Sequence, residues 1–230
     1  RALYKEKKPI IRLLTTINKF RRKQMYAVVV RGQAQDGKME DLKNFIKNEA
    51  IPSLEVEGMI SIGFCNPEEN VNLGMVFLTD KEAADRFGEA RNENIAKLQD
   101  ILAGPPNVKE GEITLGKIYQ EVTAKEREGD FVRVVFAKVG DAETAENFVK
   151  EKIFPIYNEA EGLRAAGFMV VDGEAISWNF WDSEEAANVV VPKFNEELSS
   201  AEEIFNEAPV AYMGTIYAGK NFIDITKGME

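Results

Sequence analysis

Alternation and helical spacing of apolar positions divide the chain into one series of elements that runs twice. Tyr26 to Val30 reads as a strand. After a turn at Asp36-Gly37, the residues Met39, Leu42, Phe45, Ile46 and Ala50 fall on one helical face. Pro52 predicts the end of that helix, since proline lacks a donor and clashes with the preceding turn. Strands follow from Met59 to Phe64 and from Leu73 to Leu78, joined through Asn66-Pro67-Glu68-Glu69-Asn70. Asp80 caps a long helix whose stripe is Ala83, Ala84, Phe87, Ala90, Leu98, Ile101 and Leu102. Gly104-Pro105-Pro106 ends it, and Ile113 to Tyr119 is the last strand. The second series has strands from Phe131 to Ala137, Phe168 to Val171, Ala175 to Phe180 and Tyr212 to Tyr217. Its first helix carries Ala145, Phe148, Val149 and Ile153, and its second starts at Asp182 and meets a kink or break at Pro192. Asp172-Gly173 is a hairpin signal.

The two series share residues as well as pattern. Asn44-Phe45-Ile46-Lys47 with Pro52 recurs as Asn147-Phe148-Val149-Lys150 with Pro155. Gly58 matches Gly162, and Asp80 with Glu82-Ala83-Ala84 matches Asp182 with Glu185-Ala186-Ala187. Gly116-Lys117-Ile118-Tyr119 matches Gly214-Thr215-Ile216-Tyr217. The chain is therefore a tandem duplication of a unit of about a hundred residues, the size of one domain. Each unit has the order βαββαβ, a ferredoxin-like arrangement with a four-stranded antiparallel sheet and both helices on one face. The other face stays apolar, and two such sheets cover one another when packed face to face. The expected fold is α+β, two fused repeats forming a pseudo-dimeric α+β barrel. The expected boundaries are an arm over 1–24, repeats over 25–121 and 130–223, a charged linker over 122–129 and a tail over 224–230.

Over roughly residues 25–220 the chain resembles the dimeric α+β barrel superfamily, and within it the antibiotic-biosynthesis-monooxygenase-like domains. Element order, unit length and the Gly-x-Ile-Tyr endings carry the resemblance. It implies a pocket between sheet and helices, where cofactor-independent monooxygenases use Asn and Trp and haem-degrading members use a His ligand. This chain has no histidine, so the haem reading falls. The nearest match to the Asn/Trp pair is Trp178-Asn179, followed by Trp181, in the second repeat. Neighbours on a strand point to opposite faces. Trp178 and Phe180 should thus share one face, and Asn179 and Trp181 the other. The first repeat has Met75, Val76 and Phe77 there, so a site is expected in the second.

Composition narrows the chemistry. With no His and one Cys, Cys65, the commonest donors for zinc, copper and haem are absent, as is the commonest general base. No cofactor, metal site or catalytic residue is assigned. No apolar run is long enough to span a membrane. The net charge of −10 divides into +8 over residues 1–24 and −18 beyond. From Ala165 to Gly219 only Lys193 is basic against ten acidic residues, which argues against a nucleic-acid partner. The first 24 residues read as a basic amphipathic helix: Ile10, Leu13, Leu14, Ile17 and Phe20 recur at helical spacing, with Arg12, Lys19, Arg21, Arg22 and Lys23 around them. Such a segment packs on the repeats of its own chain, or binds a protein partner, a second copy, or an anionic membrane surface. A basic, acid-poor start also suits a processed targeting segment, and a lone cysteine suits an intracellular compartment, cytoplasm or organelle interior. On this reading the chain is a non-catalytic scaffold or assembly subunit attached through its arm. The alternative is a cofactor-independent monooxygenase or small-ligand-binding protein with its pocket in the second repeat.

Overall fold

A computed structural model describes residues 24–225. The first repeat comprises β1 (Tyr26–Gln33), α1, β2 (Met59–Glu68), β3 (Val71–Leu78), α2 (Lys81–Ala96), β4 (Asn107–Glu112) and β5 (Leu115–Ile118). The second comprises β6 (Phe131–Lys138), α3, β7 (Leu163–Val171), β8 (Glu174–Trp181), α4 (Glu184–Ser200) and β9 (Val210–Asn221). Helix α1 begins as Met39–Phe45, widens into a π-turn over Ile46–Ala50 and resumes as Ile51–Leu54. Helix α3 repeats that device as Ala142–Phe148, Val149–Ile153 and Phe154–Glu159.

All nine strands join in one sheet of order β4-β1-β3-β2-β9-β6-β8-β7-β5. The last strand of each repeat is shared between the two halves. Residues 210–215 of β9 pair with β6, and 216–221 pair with β2 of the other repeat. The first repeat's last strand does the same in two pieces, β4 on β1 and β5 on β7. Between them Ile113 N–H donates to Met25 O at 2.8 Å and Thr114 N–H to Phe168 O at 3.0 Å, so the ribbon crosses the seam and the sheet closes into a barrel.

Closure buries both faces of the central strands. Val28, on β1, packs under the first repeat's helices, while Ala27 and Val29 face the barrel interior. The interior joins residues from both halves: Phe77 lies 5.4 Å from the Trp178 ring and 5.8 Å from that of Phe180. Between sheet and helices each repeat has its own core, around Leu42 and Phe87 in the first and Tyr157 and Phe194 in the second.

Several local expectations change. Pro52 and Pro155 do not end their helices. Each follows a π-turn, where Ile51 and Phe154 N–H reach back five residues to Ile46 and Val149 O. That shift in bonding register lets the chain pass a residue without a donor and complete one more turn. Helix α4 runs through Pro192, which sits on its exposed face, where water can serve the freed carbonyl. Ser183 rather than Asp182 caps α4, accepting from Ala186 N–H at 3.2 Å. Helix α2 ends at Ala96, and β4 arises from the polar stretch NVKEGE, whose backbone pairing carries no apolar signature.

Tight packing at the barrel wall gives a direct test. Gly167 lies across from Trp178 on β8, and a Cβ there would stand 2.4 Å from the indole Cζ2. Because a ring held on both sides cannot yield, Gly167→Ala is expected to cost about 1–3 kcal/mol. Denaturant unfolding monitored by tryptophan fluorescence measures it, and an unchanged midpoint would show that the wall is loose.

Candidate functional site

The register of β6 against β8 sets a polar pair into an apolar layer. Arg133 lies opposite Asn179, both on the helix-facing side. At the equivalent place in the first repeat Val28 lies opposite Val76. From Asn179 the polarity continues in two directions. The Trp181 indole N–H donates to Asn179 Oδ1 at 2.5 Å, which turns the amide nitrogen toward Tyr157, and that nitrogen donates to the phenol oxygen at 3.0 Å. Since the indole nitrogen can only donate, this orientation of the amide is forced. Tyr157 Oη thus accepts from Asn179, and its own proton is left for another acceptor.

Arg133 is 4% exposed, yet it makes no hydrogen bond or ion pair among the described residues, and its Nε is buried without a partner. Its guanidinium lies 5.4 Å from the centre of the Phe194 ring and lines a cavity of about 40 Å³. Phe148, Val149, Ile153, Tyr157 and Phe205 also line that cavity, and no carboxylate does. Burial holds the Arg133 guanidinium below its ordinary value, against the pull of Tyr157. Burial likewise pushes Tyr157 up to about 12, opposed by Arg133 and by the Asn179 bond. A fixed positive charge and a neutral phenol therefore face a space with donors and no anionic acceptor. A buried cation left so costs several kcal/mol unless something supplies the acceptor.

The first repeat has a cavity of about 70 Å³ in the same layer, lined by Arg91 from α2, Asn72 and Asn94. There the charge has a counter-ion, with Arg91 Nη1 3.8 Å from Glu110 Oε2. Asn72 accepts from Tyr217 Oη at 2.6 Å. Tyr217 packs on the helix layer of the first repeat and Tyr119 on that of the second, so neither seals the barrel interior. Each Tyr has crossed with its strand into the opposite unit.

A third cavity, about 110 Å³, opens at one end of the barrel between the sheets, lined by Phe77, Ile113, Trp178 and Phe180. Its polar wall comes from the segment joining the repeats. Arg127, 5% exposed, donates from Nε to Asp130 at 3.2 Å and from Nη1 to Ser61 at 3.0 Å, with its guanidinium 4.2 Å from the Phe180 ring centre. Asp130 also takes Arg164 at 2.6 Å, and Arg164 continues to Asp182 at 2.5 Å. Nothing in the run Lys125-Glu126-Arg127-Glu128 distinguishes the buried Arg127 from its solvated neighbours; its contacts with Asp130, Phe180 and Ser61, the last 66 positions away, do so.

The three candidates from the sequence thus part by strand alternation. Trp178 points into the barrel, while Asn179 and Trp181 point toward the helices, where they position Tyr157. Arg133 and Tyr157 were missed. A lone arginine amid Phe131-Val132-Arg133-Val134-Val135 was the available signal, since a charge on the buried face of a central strand demands an explanation. The residues named for the arm, Ile10 to Lys23, lie outside the described residues. Cys65 is in the barrel interior, its thiol pushed up to about 12 by burial, which makes it a poor nucleophile. Among the described residues no group of acidic or cysteine side chains could hold a metal ion, and no helix is long and apolar enough to cross a membrane.

No family model matches the sequence, and no curated protein matches it. Solved structures do. A protein from Fusobacterium nucleatum, provisionally assigned as a monooxygenase, superposes with a TM-score of 0.69 at 11% identity, covering 90% of this chain and 99% of its own. A second such protein, from Lactobacillus acidophilus NCFM, gives 0.60 at 14% identity over 90% of this chain and 100% of its own. An anthrone oxidase-like protein gives 0.59 at 12% identity over 88% and 94%. The fold is that of the dimeric α+β barrels. In this fused barrel the expected role as a non-catalytic scaffold, and with it the leaning away from an enzyme, is corrected. Three structures that it matches over nearly their whole lengths carry oxygenase and oxidase names. Its second repeat also keeps an unpaired buried arginine facing a cavity.

Two measurements test this electrostatic picture. The folded value of Tyr157 lies above the roughly 10 of an unfolded tyrosine. Its contribution to stability is therefore whole below that pH and is lost as pH rises toward 12. Ultraviolet titration of the phenolates should show late-ionising tyrosines, one fewer in Tyr157→Phe; full ionisation near 10 without unfolding would refute the burial. At the barrel end, Asp130→Ala strands Arg127 without its carboxylate and is expected to cost about 3–5 kcal/mol. A thermal midpoint shifted by no more than that of an exposed Asp→Ala control would show the network to be idle.

Proposed function

We propose that the second repeat binds a small, flat, acidic hydroxyaromatic molecule as its anion beneath α3 and α4, and that the fused barrel oxidises it with dioxygen as a cofactor-independent monooxygenase. The observation that carries this reading is Arg133, a buried cation with no hydrogen-bond or ion-pair partner among the described residues, beside a phenol whose proton is left to donate. An enolate or phenolate oxygen is the acceptor both groups lack. The names of the similar structures, monooxygenase and anthrone oxidase-like, support the same class of chemistry. The cavity of about 40 Å³ holds a few water-sized spheres, so a ring enters only as Leu198 and Phe205, half-buried lining side chains, move aside.

The chain's part in the reaction is electrostatic. Arg133 stabilises the substrate's anion and so lowers its pKa, and Tyr157, held by Asn179 and Trp181, donates to the same oxygen. The resulting electron-rich anion passes electrons to dioxygen. In the overall reaction a ring CH₂ becomes C=O, one oxygen atom enters that carbonyl, and the other leaves as water. The basic segment 1–24 serves in this reading as an interaction element. The buried free thiol of Cys65 supports an intracellular setting.

The probe is 1,8-dihydroxyanthrone. It should quench tryptophan fluorescence on binding and consume one dioxygen per molecule. Arg133→Met removes a charge-assisted bond worth about 1.5–3 kcal/mol and should weaken binding tenfold or more. Equal binding and equal oxygen uptake by Arg133→Met would overturn the assignment of this pocket.

A further inference from the structure

Helices α3 and α4 turn Tyr157 and Phe194 inward over the second-repeat cavity, and their outer sides form a separate feature. A groove of about 560 Å³ runs there, with Ile156, Ala160, Ala186 and Val189 among its lining residues. Val189 is 77% exposed, the most open large apolar side chain among the described residues. Glu159, Glu161, Asp182 and Glu185 fringe the groove, against Lys193 alone. An apolar lining with an acidic rim calls for a segment that is apolar on one side and basic on the other.

The chain carries such a segment. Residues 1–24 precede Met25, and a chain of that length can span roughly 80 Å when extended. Their composition is complementary on both counts. Ile10, Leu13, Leu14, Ile17 and Phe20 are apolar, and residues 1–24 carry a net +8. We propose that residues 1–24 of the same chain dock into this groove, apolar side chains on Val189 and Ile156 and basic ones along the glutamate rim. An occupant there ties α3 to α4, the two helices that carry Tyr157 and Phe194 over the cavity.

The test uses the full chain. A Leu14→Cys, Val189→Cys pair, under mild oxidation, should give a disulfide within one chain, at a yield independent of protein concentration. Separately, Glu159→Lys, Glu161→Lys and Glu185→Lys together change only exposed residues. With each exposed pair worth a few tenths of a kcal/mol to one, their reversal should speed tryptic cleavage between Lys19 and Lys23 about tenfold. The thermal midpoint of the body should not change. A cross-link found only between two chains would overturn the proposal in favour of a second copy in the groove. No cross-link, with cleavage equally fast in both proteins, would overturn docking altogether.

Discussion

A four-stranded sheet with helices on one side leaves its other side apolar, and the rest of this structure follows from how that side is covered. Two sheets stacked face to face would suffice for burial, but each would keep edges with unpaired backbone groups. Here the last strand of each repeat passes from its own sheet to that of the other, so the edges of one half are completed by the other. Backbone bonding and apolar burial then act together at the seam. The repeats are joined more firmly than a linker could join them, and Tyr119 and Tyr217 are each carried into the helix layer of the opposite unit.

Closure also decides where polarity is tolerated. Three arginines lie in largely dry surroundings and meet three solutions. Arg127 has a carboxylate, a hydroxyl and an aromatic face, and it fastens the joining segment to both halves. Arg91 has a distant glutamate. Arg133 has only the rim of an aromatic layer and a neutral phenol. The first is accounted for by structure, and the second keeps an ion pair although its Nε and Nη1 lack hydrogen bonds. The third is charged, buried and unanswered, the condition expected of a group whose partner is a ligand.

The duplication makes the contrast internal to the chain. Both units keep the π-turn before proline, and in both its residues line the cavity under the helices, Ile46 and Ala50 in one and Val149 and Ile153 in the other. The units diverge in the sheet beneath. Val28 and Val76 in the first put no polar atom at that sheet position, whereas Arg133 and Asn179 in the second bring charge and an oriented amide to the same place. One scaffold thus holds an apolar pair there in one unit and a polar pair in the other.

Order, repetition and face were legible in the sequence because they are local. Alternation assigned Trp178 and Phe180 to one side and Asn179 and Trp181 to the other, and matched residues revealed the two units. Pro52 and Pro155 misled because helix termination was judged from proline alone, while a π-turn five residues long absorbed it. The polar run of β4 was invisible because its place in the sheet depends on the backbone of β1 rather than on its own side chains. Of the candidate site, the sequence reading named Asn179 and Trp181 but not Arg133 or Tyr157. Tyr157 lies 22 positions from Asn179, and Ser61 lies 66 from Arg127, so neither contact exists until the sheets have closed. Residue type and period determined which side chains would be buried. Which buried polar groups would find partners, and which arginine among the described residues would have neither hydrogen bond nor ion pair, was decided by tertiary packing, because hydrogen bonds need position as well as proximity in the chain.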